Sequence, residues 1–210
     1  MRAEWLKPRM QNTPDNIEVA GLWRGGEKGA CRTFCEWLAE SDTVESVLDI
    51  GAGYGLSSDA IAEYWPWCTV TSFDYQQCGS AYPGPFVLGD AHDLSCFSDG
   101  QFDAVWSAHC VEHLQSPFDA LLEWRRVLGD DGFIGLAVPS GCGVEPGHIW
   151  DLTNPRRLWY LLALTGFAVK RVCLSGNTLI GLARKTQLPS SLFSPQLSIP
   201  DVVEVVDLCA

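Results

Sequence analysis

Residues 47–55, VLDIGAGYG, combine a short apolar run with three glycines at alternate positions, and this stretch decides the fold prediction. The apolar run is typical of a buried β-strand, and the glycines predict a tight turn where the strand ends. A turn without side chains lets a ligand approach the backbone closely. The spacing is G-x-G-x-G, whereas dinucleotide-binding turns have G-x-G-x-x-G. An acidic residue, Asp49, also precedes the glycines.

Strand and helix signals alternate on both sides of this turn. Repeated β-α-β units predict a mainly parallel sheet with helices on both faces, and a final hairpin around residues 175–176 predicts one antiparallel strand. The predicted fold is therefore α/β, a Rossmann-like, doubly wound sheet of seven strands. The strands are expected at 44–50, 69–75, 86–90, 102–107, 133–139, 167–174 and 177–185, and the helices at 27–41, 56–65, 116–128 and 155–167.

Length and composition exclude several classes of protein. The chain has 210 residues, 47% of them hydrophobic and 19% charged, which excludes a disordered or fibrous protein. No apolar run approaches the roughly 20 residues that cross a bilayer, and the N-terminal residues lack a secretory signal pattern. We therefore expect a cytoplasmic protein, not bound to membranes, whose nine cysteines are mostly reduced and buried.

The net charge of −12 is distributed unevenly. Between Arg32 and Arg125 the sequence has fifteen acidic residues and neither lysine nor arginine. Such a stretch is unsuited to tracking a nucleic-acid backbone, so we expect no nucleic-acid partner. It is equally unsuited to holding a phosphate by side-chain charge, although an acidic surface that favours solubility explains the same composition. The oligomeric state stays open, with a homodimer as one possibility.

Acidic residues recur where predicted strands end. Asp74 lies 25 positions after Asp49, at the end of the second strand, where a carboxylate can accept both ribose hydroxyls. Asp90 and Ala91 follow the third strand, where they can meet an adenine amino group. In a doubly wound sheet these positions share one edge, because ligands bind beyond the carboxyl ends of the strands.

In these motifs residues 44–184 resemble class I S-adenosylmethionine-dependent methyltransferases. VLDIGAGYG is similar to the family's first motif and SFDY to its ribose-binding acid, while GDAHDLSCFSDGQFDAVWS is similar to its adenine-binding turn and fourth strand. The cofactor that the resemblance implies is S-adenosylmethionine. The implied cofactor-binding residues are Asp49, Gly51 and Gly53 around the methionine part, Asp74 and Tyr75 at the ribose and adenine edge, Asp90 and Ala91 at the adenine, and Ser107 at the end of the fourth strand.

The missing cations fit this cofactor. S-adenosylmethionine has no phosphate and carries a positive sulfonium, so a site without lysine or arginine suits it. A nicotinamide oxidoreductase is an alternative that the glycine spacing and the missing cations disfavour. A phosphate cradle made of backbone N–H groups alone stays open.

Histidines after the fourth and fifth strands are the candidate catalytic residues. His109, Glu112 and His113 form an H-x-x-E-H pattern, which on a helical turn points all three side chains one way. His148 lies in the connection after the fifth strand. His148 and His113 are the candidate general bases. A second interpretation is a divalent metal site, because the pattern is similar to the E-x-x-E-H pattern of small-RNA 2′-O-methyltransferases. His109 replaces the first glutamate of that pattern, so no metal is assigned. The third interpretation is that these residues shape the acceptor pocket.

The predicted function is methyl transfer to a small-molecule acceptor, at oxygen. The alternative is a non-catalytic, methyltransferase-like subunit that binds the cofactor without turnover. Residues 1–43 are predicted to form an N-terminal helical or lid segment, and residues 44–185 the methyltransferase core. Residues 186–210 form a tail that is either loosely attached or adds an edge segment.

Overall fold

The computed structural model describes residues 28–39, 44–78, 81–140, 147–175, 177–188 and 205–207. They form one sheet with helices on both faces. The strands are β1 (Ser46–Ile50), β2 (Thr69–Asp74), β3 (Phe86–Leu88), β4 (Phe102–Ala108), β5 (Leu128–Pro139), β6 (Phe167–Ser175), β7 (Thr178–Lys185) and β8 (Val205–Asp207). The helices are α1 (28–39), α2 (Leu56–Tyr64), α3 (Pro117–Val127) and α4 (Pro155–Leu164), with a 3-10 turn at Val111–His113.

The strand order is β3-β2-β1-β4-β5-β7-β6-β8. Strands β1 to β5 run parallel to their neighbours, and β7 is antiparallel to both β5 and β6. The seven predicted strands and the antiparallel hairpin are therefore confirmed. The chain order reverses between β1 and β4, so the turn after β1 and the turn after β4 emerge side by side at one edge of the sheet.

Each face of the sheet is covered by two helices. On one face α3 and α4 pack through residues such as Trp124, Leu121 and Leu158. On the other face α1 and α2 pack through residues such as Phe34 and Ile61. Because β1 and β4 are covered on both sides, their side chains are almost entirely buried, which is typical of a parallel sheet.

The local sequence explains where α3 begins. The hydroxyl of Ser116 accepts a hydrogen bond from the backbone N–H of Asp119, and Pro117 occupies the first turn. Both features fit the helix predicted at residues 116–128. The fifth strand begins earlier than the predicted 133–139, because β5 already starts at Leu128 and pairs there with Phe102 before a register shift.

One short strand lies beyond the seven expected. Residues Val205–Asp207 pair in parallel with Val172–Leu174 of β6, which matches the edge-segment alternative for the tail. Of the predicted N-terminal lid segment only α1 is described, and it packs on the sheet; the rest lies outside the described residues. The division at residues 43 and 185 stays a prediction.

Two observations bear on the remaining expectations from composition. None of the helices in the described ranges combines the length and the apolarity that a bilayer span requires. The seven cysteines within those ranges are not in disulfide bonds. Burial raises the pKa of Cys68 to about 12 and that of Cys173 to about 11, so both thiols are un-ionised at neutral pH.

Two glycines in neighbouring strands give a test of the packing. A Cβ at Gly135 in β5 would lie 2.3 Å from Phe34 Cδ2, whereas a Cβ at Gly181 in β7 would only touch Leu158 Cδ2 at 3.4 Å. We expect Gly135→Ala to lower the free energy of unfolding by about 1–3 kcal/mol through overpacking. Gly181→Ala should leave it unchanged or raise it by up to about 1 kcal/mol. Urea unfolding measures both, and equal losses would contradict the packing described.

Candidate functional site

The turn after β1 is built from glycines in the left-handed region. Gly51, Gly53 and Gly55 have φ of 77°, 52° and 71°, which other residues adopt at a cost. The backbone N–H groups of Gly51 and Ala52 both donate to the Phe73 carbonyl, at 2.8 and 3.2 Å. The turn is thereby fixed against the end of β2.

Gly51 and Gly53 serve different purposes. A Cβ at Gly51 would lie 2.6 Å from Cys110 Cβ, so the glycine permits close contact between this turn and the chain after β4. A Cβ at Gly53 would meet no atom of the described residues within 4 Å. Gly53 therefore borders open space, into which a ligand can come directly against the backbone.

Asp74 lies at the end of β2 and faces this turn. One carboxylate oxygen accepts a hydrogen bond from Gly53 N–H at 2.9 Å, and the other accepts from Gln76 N–H at 3.1 Å. The residue is only 7% exposed. Each oxygen keeps a lone pair for a further donor, because a carboxylate accepts about four hydrogen bonds. Tyr75, the next residue, is 40% exposed beside it.

Asp49 and Ser107 form hydrogen bonds to other buried groups of the protein. Asp49 accepts a hydrogen bond from the Ser58 hydroxyl at 2.6 Å, and Ser58 also contacts the Ser72 hydroxyl at 2.7 Å. The Ser107 hydroxyl donates to the Ile50 carbonyl at 2.8 Å, which joins β4 to the end of β1. These contacts hold the carboxyl ends of the strands together, and direct ligand contact by Asp49 or Ser107 stays a prediction.

The loop after β3 is anchored through His92. Asp90 accepts hydrogen bonds from the His92 backbone N–H and ring Nδ1, at 2.9 and 2.6 Å. The His92 Nε2 then accepts from Ser116 N–H at 3.2 Å. Burial alone would raise the pKa of Asp90, but the two hydrogen bonds from His92 outweigh it and lower the pKa. Asp90 is therefore a fixed carboxylate.

Helix α3 holds the rest of this loop through residues that the sequence did not single out. The Trp124 ring N–H donates to the Ala91 carbonyl at 2.8 Å. Arg126 donates to the carbonyls of Leu94 and Phe97, and its hydrogen bonds to the carboxylates of Glu123 and Asp99 raise its pKa further. The signal available in the sequence was that Arg125 and Arg126 end the long stretch without cations.

The predicted histidine cluster forms at the end of β4. His109 has a φ of 51°, the one positive value at a non-glycine among the described residues. Its backbone N–H donates to the Ala137 carbonyl of β5 at 2.8 Å. The Glu112 carboxylate is 1% exposed and lies 3.6 Å from His109 Nδ1 and 3.5 Å from His113 Nε2. Strained backbone of this kind concentrates at functional sites.

Residues 147–150 bring His148 onto this cluster. His113 Nδ1 lies 2.7 Å from the Gly147 carbonyl, and the N–H groups of Ile149 and Trp150 donate to the Glu112 carbonyl at 2.9 and 3.1 Å. The rings of His113 and His148 meet edge to face, with centroids 4.5 Å apart. The structure therefore brings both predicted catalytic histidines together, beside the exposed side chains of Ile149 and Trp150.

Comparisons with known proteins show what this chain is similar to. Residues 48–136 match the family described as Methyltransferase domain. The chain is 30% identical over 125 residues to demethylmenaquinone methyltransferase of Mycolicibacterium vanbaalenii, covering 59% of this chain and 51% of that protein. It is 30% identical over 110 residues to malonyl-[acyl-carrier protein] O-methyltransferase of Geobacter sulfurreducens, covering 48% and 41%. The chain thus spans about half the length of these curated relatives, or less.

Solved structures share the fold. The Burkholderia thailandensis 1,6-didemethyltoxoflavin-N1-methyltransferase, with 1,6-didemethyltoxoflavin and S-adenosylhomocysteine bound, aligns with a TM-score of 0.68 at 18% identity, over 81% of this chain and 84% of that one. A SAM-dependent methyltransferase from Archaeoglobus fulgidus aligns with a TM-score of 0.65 at 18% identity, over 81% and 99%. The predicted resemblance to class I S-adenosylmethionine-dependent methyltransferases is confirmed.

The left-handed backbone at His109 can be tested by the stability of two variants. Asparagine tolerates the left-handed region, whereas β-branched valine does not. We expect His109→Val to be less stable than His109→Asn by about 1–2 kcal/mol in free energy of unfolding. Both variants lose the imidazole, so their difference in urea unfolding isolates the backbone. Equal stabilities would contradict a left-handed residue at this position.

Proposed function

We propose that this protein transfers a methyl group from S-adenosylmethionine to a small-molecule acceptor. The observation that carries the proposal is the juxtaposition at the carboxyl edge of the sheet. The Gly51–Cys110 contact joins the turn that carries Gly53, against which Asp74 lies, to the chain segment that carries Glu112 and His113 of the Glu112–His113–His148 cluster. A cofactor pocket and an acceptor pocket side by side are what group transfer requires.

The glycine turn supports this cofactor over a dinucleotide. The backbone N–H groups of Gly51, Ala52, Gly53 and Gly55 already donate to acceptors within the chain. They are therefore not offered to a pyrophosphate, which dinucleotide-binding turns hold through backbone N–H groups. Asp74 instead offers carboxylate lone pairs, which suit the two hydroxyls of an adenosyl ribose. When bound, S-adenosylmethionine supplies a methyl group on a positively charged sulfonium.

Different residues of the chain bind the ribose and the adenine of the cofactor. Asp74 holds the ribose, and Tyr75 lies against the adenine edge. Asp90, fixed by His92, and Ala91, fixed by Trp124, form the loop that meets the adenine. Because this loop is tied to α3 at several points, it is preorganised, and preorganisation lowers the entropic cost of binding.

The acceptor side favours a small molecule with an apolar body and a hydroxyl group. Ile149 is 61% exposed and Trp150 is 43% exposed beside the histidine pair, which gives an apolar surface for the acceptor. Methylation at oxygen releases the hydroxyl proton, and we assign its uptake to the His113–His148 pair, with the Glu112 carboxylate stabilising the positive charge. The relatives named above carry small-molecule acceptors in their names, which supports this class.

The alternative is a cofactor-binding subunit without turnover. The fold alone does not exclude it, since one fold hosts many activities. The non-catalytic subunit and the enzyme lead to the same prediction for cofactor binding and to opposite predictions for methyl transfer. The methyl-transfer prediction below therefore separates them.

Cofactor binding should depend on Asp74. We expect Asp74→Asn to weaken S-adenosylhomocysteine binding by roughly 10- to 100-fold, because hydrogen bonds to a charged acceptor contribute about 1.5–3 kcal/mol each. Isothermal titration calorimetry measures the affinity. Asp131→Asn, at an exposed carboxylate that pairs with Arg184, is the matched control and should bind like the unchanged protein. An unchanged affinity in Asp74→Asn would contradict the assignment of the ribose site.

Methyl transfer should depend on His113 and select hydroxyl acceptors. We expect radiolabelled S-adenosylmethionine to methylate members of a panel of aromatic and aliphatic hydroxyl compounds, and His113→Gln to lower kcat by roughly 100-fold or more. Glu36→Gln, on the exposed face of α1, is the control. Transfer to amines alone would contradict oxygen as the acceptor atom. Cofactor binding without transfer to any compound would favour the non-catalytic subunit.

A further inference from the structure

Glu112 is the least expected charged group in the site. Its carboxylate is 1% exposed, and neither oxygen accepts a hydrogen bond within the part of the chain that the structure describes. A buried carboxylate without compensation is unfavourable by several kcal/mol. Across the described ranges no lysine or arginine pairs with it, and the sequence supplies none between Arg32 and Arg125. Some other positive group must therefore balance this charge.

The tautomer of His113 limits which positive group can balance the charge of Glu112. The Gly147 carbonyl lies 2.7 Å from His113 Nδ1, and a carbonyl can only accept, so the proton is on Nδ1. In the neutral ring the lone pair of Nε2 then points toward Glu112 Oε1, 3.5 Å away. Two acceptors facing each other at this distance need a proton or a cation between them. A carbonyl that fixes the far nitrogen of an imidazole is also the usual second partner of a metal-binding histidine.

From this geometry we infer that Glu112, His113 and His148 form a binding site for a divalent transition metal ion, with zinc as the best match. Their donor atoms all lie within 4.8 Å of one another. Zinc ligands lie about 2.0–2.2 Å from the metal, so the three side chains would close by roughly 1 Å around the ion. One carboxylate with two imidazoles favours zinc over magnesium, which prefers oxygen ligands alone.

Three protein ligands leave a coordination position open. Catalytic zinc sites share this feature, whereas structural sites are closed by four ligands. With the ion bound, the two imidazoles would be ligands instead of bases, and an acceptor oxygen bound at the open position would lose its proton more easily because the metal lowers the pKa of a bound hydroxyl. This last point rests on the proposed function, but binding of the ion does not, because the ligand set is complete without cofactor or acceptor.

Metal titration of the full chain tests the inference directly. Protein treated with chelator and then freed of it should bind one equivalent of Zn²⁺ in calorimetry, and Mg²⁺ should bind much more weakly. Co²⁺ should give the visible absorption of a nitrogen and oxygen environment. Glu112→Gln and His148→Ala should each weaken Zn²⁺ binding by about 10- to 100-fold or more. His148 lies in a connecting segment, so its variant keeps the fold even if Glu112→Gln does not.

Matched variants exclude binding elsewhere. Glu36→Gln removes an exposed carboxylate and Cys96→Ser an exposed thiol, and neither should change the affinity. Failure of the unchanged protein to bind Zn²⁺ would overturn the inference and leave an imidazolium–carboxylate pair as the balance for Glu112. A cobalt spectrum dominated by sulfur charge transfer, or unchanged affinity in His148→Ala, would also overturn it. All these readouts are taken without cofactor, so they are independent of methyl transfer.

Discussion

The close contact between Gly51 and Cys110 is the constraint on which the candidate site depends. Strands β1 and β4 are neighbours at the point where the strand order reverses, so the turns that follow them emerge together. Any side chain at position 51 would collide with Cys110 and force these turns apart. The 3-10 turn that carries Glu112 and His113 starts one residue after Cys110. A single missing side chain therefore sets the distance between the glycine turn and the histidine cluster.

The sequence was sufficient where function and fold depend on short patterns. The glycine turn, the helix predicted at residues 116–128 and the Glu112–His113 contact each involve neighbours along the chain, and each is present. His109 instead lies before the 3-10 turn, with a φ of 51°. The residues that reasoning from sequence missed act across long separations. Trp124 and Arg126 reach 33 and 32 positions back to the loop after β3. Only packing of α3 against the sheet brings them there, so no local sequence pattern predicts these contacts.

The burial of Asp49 shows a related limit. From the sequence, an acid at the end of β1 looks equivalent to the acid at the end of β2. In the structure Asp49 is turned toward Ser58, while Asp74 faces the glycine turn. Several basic residues are likewise engaged away from the candidate site. Arg126, Arg157 and Arg184 each pair with nearby carboxylates, so these guanidinium groups do not bring positive charge to the carboxyl edge of the sheet.

The short strand β8 has a consequence for how the protein is handled. Without it, Val172–Leu174 of β6 would present a row of unpaired N–H and C=O groups at the end of the sheet. Such an edge is a template on which a second chain can add a strand, which is the first step of edge-to-edge aggregation. A tag or deletion that displaces residues 205–207 would expose that template. Its effect would be seen as association between copies, at the opposite side of the sheet from the loop after β3.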